Sequence, residues 1–387
     1  MSTHLDELIL DDPTAIAAAD PGELLPLVAS AGRQVREAAA RTGEAGLAGV
    51  AVDGRPRAVV VLGVGGSGAA GDVLAAVAGT SCPVPIVGHK GYGLPGWVGV
   101  ADLVIAVAAS GTAEETLSGF DDAARRGAGL MAVGAPDSPL AFLAESNRAT
   151  FVPIPPDGRP ARASLWALSV PLLLAGRELG LLALPPEVLE ATAARLEEVA
   201  TRCRPSSEAF VNPAKTLALE VADTLPMIWG TSPTMGVAAT RAASQFARSA
   251  KYPAIPGLLP EAGHDQLVAF DGVFGARAAS GGGADPDDFF RDRTDEPDAT
   301  RLRLVVLRDP GVEHPRIARR ADAAQEIARE RGVAVTELRP EGTSALERFA
   351  SLAGVLDYAS VYLGIALGVD PTPSSAAREL ALRIESA

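Results

Sequence analysis

Two short stretches carry hydroxyl groups where a folded backbone would aim them at an anion. In Val59–Ala76, VVVLGVGGSGAAGDVLAA, an apolar run ends in glycines and passes directly into an alanine-rich helix pattern, with Ser67 inside the turn. A strand that ends this way leaves the first N–H groups of the helix, around Gly65, Gly66 and Ser67, pointing at whatever sits above the turn. In Val107–Leu117, VAASGTAEETL, residues Ser110, Gly111 and Thr112 stand at another strand-to-helix junction, with Glu114 and Glu115 following where a helix dipole favours acids. Taken alone, the second pattern is an ordinary helix cap. Two hydroxyl-bearing turns at neighbouring strand ends of one parallel sheet, however, face the same crevice at its carboxyl edge and together make an anion cradle.

The spacing of Gly63–Gly68 also fits the dinucleotide fingerprint G-x-G-x-x-G, which raises a nucleotide-binding oxidoreductase as an alternative. That reading needs an acidic residue about 20 positions on to hold a ribose. The next strand ends instead in His89 and Lys90. A phosphate group is therefore the expected anion.

The elements that must position these turns are legible as an alternation. Short, nearly all-apolar runs at Arg57–Gly63, Val84–His89, Asp102–Ala108, Gly129–Gly134 and Ala149–Ile154 are separated by helical stretches near Ala69–Ala78, Ala113–Arg126 and Pro139–Glu145. This is the pattern of a parallel sheet buried on both faces. Arg162–Gly180 reads as a helix closing the unit and Pro185–Arg204 as a connecting helix. Leu225–Lys251 then repeats the opening theme of strand, glycine-serine-proline turn and small-residue helix. It is followed by strands at Arg301–Asp309 and Val333–Leu338 and helices at His314–Arg331 and Ser344–Leu367. The expected fold class is α/β, with two tandem parallel-sheet α/β sandwiches: an N-terminal helical segment over 1–43, a first domain over 44–184, a connecting helix over 185–210 and a second domain over 211–387. Ser280–Ala299, polyglycine followed by acids, reads as a mobile loop.

Composition narrows the function classes. A chain of 387 residues with 48% hydrophobic and 21% charged residues is globular, with room for two cores. A net charge of −14 argues against nucleic acid as a partner. No uninterrupted apolar run approaches the roughly 18 residues of a membrane span, and the start MSTHLDELILDD lacks the basic end and apolar core of a signal peptide. No membrane partner and a cytoplasmic location are expected. Cys82 and Cys203 are read as buried apolar cysteines rather than a disulfide or a metal site.

The ordered motifs GVGGSGAAGD, ASGTAEET, PDGRPARAS, SQFARSAK, PEAGHDQL and GVDPTP resemble those of the bifunctional phosphoglucose/phosphomannose isomerases, whose chains are two tandem sugar isomerase (SIS) domains. The likeness runs from about Val59 to near the end. It implies interconversion of aldose and ketose 6-phosphates without metal or cofactor, through ring opening and a cis-enediol, in a homodimer with sites at subunit contacts. It also implies that Gly65, Gly66, Ser67, Ser110, Gly111 and Thr112 grip the phosphate, that Arg162 steadies the enediolate, and that His264 opens the ring. It places Glu261 with Arg162 and His264 among the catalytic positions, and Arg248, Lys251 and Thr372 at further site positions. The long apolar run Leu346–Gly368 offers more apolar surface than one helix face uses, which also points to a homodimer.

The chain departs from that pattern in places. Ala108 and Ala113 replace two hydroxyl residues of the second turn. Arg248 stands where the family carries its base glutamate, and an arginine, with a pKa above about 12, takes up no proton at neutral pH. Gly263, Asp265 and Gln266 replace the family's residues beside the histidine, and no lysine follows Lys251. The nearest carboxylates to His264 are Glu261 and Asp265. The expectation is a phosphosugar-binding protein with weak, altered or absent isomerase activity; the alternative is an active glucose-6-phosphate/mannose-6-phosphate isomerase with a relocated base.

Overall fold

Runs of valine, leucine, isoleucine and alanine form the central strands of the first sheet, because residues apolar on both faces are stable only where helices cover both. A computed structural model describes residues 5–50, 54–155, 158–276 and 301–385. The acid-rich stretch Ser280–Ala299 lies outside them. The chain divides into two compact units, one of Leu27–Glu198 with Gly342–Ala350, the other of Met1–Pro26, Val199–Glu341 and Ser351–Ala387.

In the first of these units, β1 (Val59–Leu62), β2 (Ile86–His89), β3 (Leu103–Ala108), β4 (Gly129–Gly134) and β5 (Thr150–Pro153) form one sheet in the order β2-β1-β3-β4-β5. Every pairing is parallel. All residues of β1 and β3 are buried. The chain leaves β1 for β2 on one side and then crosses to β3 on the other, so the gap between the carboxyl ends of β1 and β3 is the topological switch point where ligands of such sheets sit. Helices Gly65–Ala78 and Glu114–Arg125 start directly above that gap. Val60, Leu62, Val104, Phe120 and Leu140 belong to the core below it.

The second unit repeats the plan with β6 (Thr224–Gly230), β7 (Ile255–Leu258), β8 (Arg301–Leu307) and β9 (Ala334–Leu338), all parallel and ordered β7-β6-β8-β9. Trp229 stacks on Phe270 at 5.9 Å between ring centroids in a core that includes Leu304, Val306 and Ala324. The two tandem parallel-sheet α/β units expected from the sequence are thus present, and β7 is an addition. Its Pro256 lacks an N–H, which an edge strand tolerates.

Two sequence expectations need correction. The helix Ala345–Ala366 is long and apolar enough to cross a membrane by length and composition, but its residues from 349 to 366 are buried inside the chain. Its apolar surface is used internally, so it gives no reason to expect a second copy. Cys203 is buried, and burial pushes its thiol up to about 12, whereas Cys82 is only half-buried and its Sγ lies 3.2 Å from Val84 O.

Candidate functional site

The cradle is built from two turns tied to each other. Ser67, in the first turn of Gly65–Ala78, is 6% exposed, and its Oγ accepts the N–H of Ala109 from the end of β3 at 3.2 Å. One hydrogen bond thus fixes the spacing between the glycine turn and the serine turn. Next to it, the hydroxyls of Ser110 and Thr112 are 2.9 Å apart and exposed, and the Thr112 N–H also reaches Ser110 Oγ at 3.3 Å. Gly111 has φ +71°, and a Cβ there would run into Ser138 Oγ, so this turn needs glycine for both conformation and space. Ser138 in turn caps the helix Pro139–Ser146 by accepting from Ala141 N–H at 3.3 Å.

Gly66 brings in the third wall. A Cβ built on it would lie 2.7 Å from the carbonyl carbon of Ala161 and 2.8 Å from the backbone nitrogen of Arg162. The short turn Ala161–Ala163 therefore packs backbone to backbone against the first turn of the helix, and Arg162, 4% exposed, is held there. Gly65, Gly66, Ser67, Ser110, Gly111, Thr112 and Arg162 are all brought together in the first unit. Lys90, whose Nζ pairs with Asp72 at 2.9 Å, passes its Cε 3.4 Å from the position a Cβ on Gly68 would take. In the fold it brings a cation beside the first helical turn.

The remaining candidates lie in the second unit and form two groups. After the helix Pro233–Gln245 the chain widens into a π-helical turn, Phe246–Ala250, which carries Arg248 half-buried. Such a turn re-aims the side chains of a helix end. Lys251 closes it in the left-handed conformation, its Nζ donating to the carbonyls of Arg248 at 2.8 Å and Asp370 at 3.0 Å. Thr372 donates its N–H to Asp370 Oδ1 at 2.8 Å. Arg248, Lys251 and Thr372 thus share one locality. Two helical turns earlier, Arg241 pairs with the buried Asp357 at 2.7 Å; burial pushes that carboxyl up against the opposing pull of Arg241. Glu261 and His264 are exposed and share a single turn, with His264 N–H donating to Glu261 O at 2.7 Å.

A further cluster had no counterpart in the sequence reading. At the switch point of the second sheet, the buried Asp309 follows β8, and its Oδ2 accepts from Ser232 Oγ at 2.8 Å and lies 3.5 Å from Thr234 Oγ1. Its own N–H donates to Thr231 Oγ1 at 2.9 Å. This is the position corresponding to the cradle of the first unit, and here a carboxylate of the protein fills it. The signal available was the repeat itself: GTSP after β6 answers GVGGS after β1.

Known proteins resemble this chain in sequence and in fold. Residues 210–383 match the bacterial phospho-glucose isomerase C-terminal SIS domain. A bifunctional phosphoglucose/phosphomannose isomerase of Caldicellulosiruptor bescii is 31% identical over 317 residues, 81% of this chain and 86% of that protein. A hypothetical protein from Thermus thermophilus has a similar fold, with a TM-score of 0.67 at 18% identity over 98% of this chain and 95% of that one. A glucose-6-phosphate isomerase like protein of the same organism gives a TM-score of 0.55 at 20% identity, over 96% and 98% of the two chains. The tandem sheets and the order of their turns agree with the relationship that the identity establishes, and the chain belongs to the bifunctional phosphoglucose/phosphomannose isomerase family.

Proposed function

We propose that the protein binds a sugar 6-phosphate at the cradle of the first unit and that its aldose–ketose isomerase activity is weak, altered or absent. The observation that carries the binding half is the Ser67–Ala109 hydrogen bond, which sets two turns rich in N–H and O–H donors at a fixed spacing over the switch point. Helix N-termini and hydroxyls suit a phosphate dianion, and the buried Arg162 beside Gly66 suits a negative charge that develops at the sugar carbons. Arg248 carries the other half. Moving a proton between C1 and C2 needs a group that takes one up near neutral pH, and a guanidinium does not. Arg248 puts a cation in place of that base.

His264 opens the ring in this reading, without metal or cofactor, and the working protein is a cytoplasmic homodimer. The second reading, an active isomerase with a relocated base, draws on Glu261, whose carboxylate sits in the same turn as His264. Coupled assays with fructose, glucose and mannose 6-phosphates at high enzyme concentration, run beside calorimetric titration with the same compounds, test both. Binding with negligible turnover is the expected result. Turnover at ordinary isomerase rates favours the relocated base, and no binding of any of the three removes the cradle assignment. Light scattering at micromolar concentration tests the dimer.

A further inference from the structure

Arg320, on the helix Pro315–Glu330 of the second unit, places Nη1 3.3 Å from Nε2 of His264. A guanidinium offers N–H donors and no acceptor, and it stays charged throughout the range in which imidazole side chains titrate. Its N–H meets Nε2 only when that nitrogen carries a lone pair. The proton of the neutral ring is then on Nδ1. We propose that Arg320 is a positioning residue that fixes His264 in the Nδ1–H tautomer and leaves Nε2 as a proton acceptor.

Both side chains are exposed, but the elements that carry them are anchored in one core. Ala262, in the turn that bears His264, is buried with Trp229 and Phe270, and Ala321 and Ala324 of the Arg320 helix are buried in the same cluster. Gln266 pins the end of the His264 turn: its Oε1 accepts from Trp229 Nε1–H at 2.7 Å, and its Nε2 donates to Pro256 O at 3.1 Å. Gly257 leaves the room for this, since a Cβ there would fall 2.8 Å from Ala262 Cβ and 2.9 Å from Gln266 Oε1. The backbones of His264 and Arg320 are thereby held in place.

The catalytic meaning rests on the proposed reading of His264 as the ring-opening group. A sugar hydroxyl that displaces the guanidinium finds a lone pair at Nε2. Ring opening then starts with the O1–H proton moving to Nε2. The C1–O1 double bond forms, the C1–O5 bond breaks with its electron pair passing to O5, O5 takes a proton from water, and the hydroxide so formed takes the proton from Nε2 and restores the neutral ring. With the proton on Nε2 instead, the ring would offer a donor to O1–H and the same step would have no acceptor there.

The test is spectroscopic and uses the full chain without substrate. Long-range proton–nitrogen correlation on protein carrying 15N-histidine, at about pH 8.5 where imidazole side chains are neutral, shows which ring nitrogen of His264 bears the proton, His264→Gln serving to assign its signals. Wild type is expected to show protonated Nδ1 and bare Nε2. Arg320→Ala should move the ring toward the Nε2–H tautomer that free histidine favours, and Arg320→Lys, still donor-only, should keep the wild-type pattern. A wild-type ring protonated on Nε2, or a pattern unchanged by Arg320→Ala, would overturn the assignment. Because no sugar is present, the result stands or falls separately from the ring-opening role, which is judged by whether His264→Gln slows anomer interconversion of a sugar phosphate.

Discussion

Ala109 donates its N–H to Ser67 Oγ at 3.2 Å, and through this bond the end of β3 and the first turn of the helix after β1 behave as one piece. On the proposed reading the serine has two tasks: holding the neighbouring turn and lending its remaining hydrogen-bonding capacity to the ligand. Ser67→Ala should therefore weaken sugar-phosphate binding by about 1–3 kcal/mol, the range for hydrogen bonds to charged groups, with some further loss as the Ala109 turn loosens. Ser110→Ala removes an exposed hydroxyl whose partners, the Thr112 hydroxyl and N–H, lie within its own turn, and should cost less. Calorimetric titration of both variants against glucose 6-phosphate checks the order; equal losses would mean that the tie between the turns is unimportant.

Gly66→Ala should be more damaging than either serine variant. Its new methyl group would meet the backbone of Ala161 and Arg162 rather than the tip of a flexible side chain, and overpacking of this kind costs about 1–3 kcal/mol of stability. Relief would come only by pushing the Arg162 turn away from the cradle. The expected outcome is a lower melting temperature together with loss of sugar-phosphate binding, measured by thermal denaturation with and without ligand.

Arg248 separates binding from turnover. Wild-type protein in deuterium oxide should exchange the C2 proton of glucose 6-phosphate negligibly, and Arg248→Glu should restore detectable exchange. General-base catalysis contributes about 10²- to 10⁴-fold, so even a poorly aimed carboxylate rises above background. Arg248→Glu combined with His264→Ala is the control, since closed rings present no exchangeable C2 proton. Efficient exchange by the wild type would turn the search for a base to Glu261.

Acid should loosen the first unit through Asp102. Burial pushes this carboxyl up, but donation from Arg57, with Nη2 2.7 Å from Oδ2, and from the N–H groups of Gly99 and Ala58 outweighs burial and holds it below the usual carboxylate range. A depressed carboxyl adds stability that is fully present above its unfolded value of about 3.9 and is lost as pH falls through the lower folded value. Asp102→Asn should cost about 1–3 kcal/mol at neutral pH. Urea unfolding of the two proteins should give midpoints that converge below about pH 4; a constant gap down to strong acid would assign the loss to packing.

Much of the sheet architecture was legible because its strands are apolar on both faces: β4 falls at Gly129–Gly134 in sequence and structure alike. The helix after β1 begins at Gly65 rather than near Ala69, since the turn above the sheet starts the helix while glycine propensity resists it. β7 was hidden because Pro256 and Gly257 break the strand signal and an edge strand does not require a full apolar run. The first cradle was readable because each of its hydroxyls lies within a few residues of its own turn. The contacts of Asp309 with Ser232 and of Arg320 with His264 join residues 77 and 56 positions apart, and local pattern carries no trace of such pairs.

The carboxylate of Asp309 at the edge of the second sheet has a bearing on stoichiometry. An anion tethered to the chain is present at an effective concentration that no free metabolite matches, so it is not competed away when ligand rises. On the proposed reading the duplicated fold is thereby unequal in its use: one sheet edge takes a solute while at the other the chain's own carboxylate engages the turn hydroxyls. A titration that reaches its plateau at one equivalent of sugar phosphate per chain, with no second weaker phase, is how that inequality would register in solution.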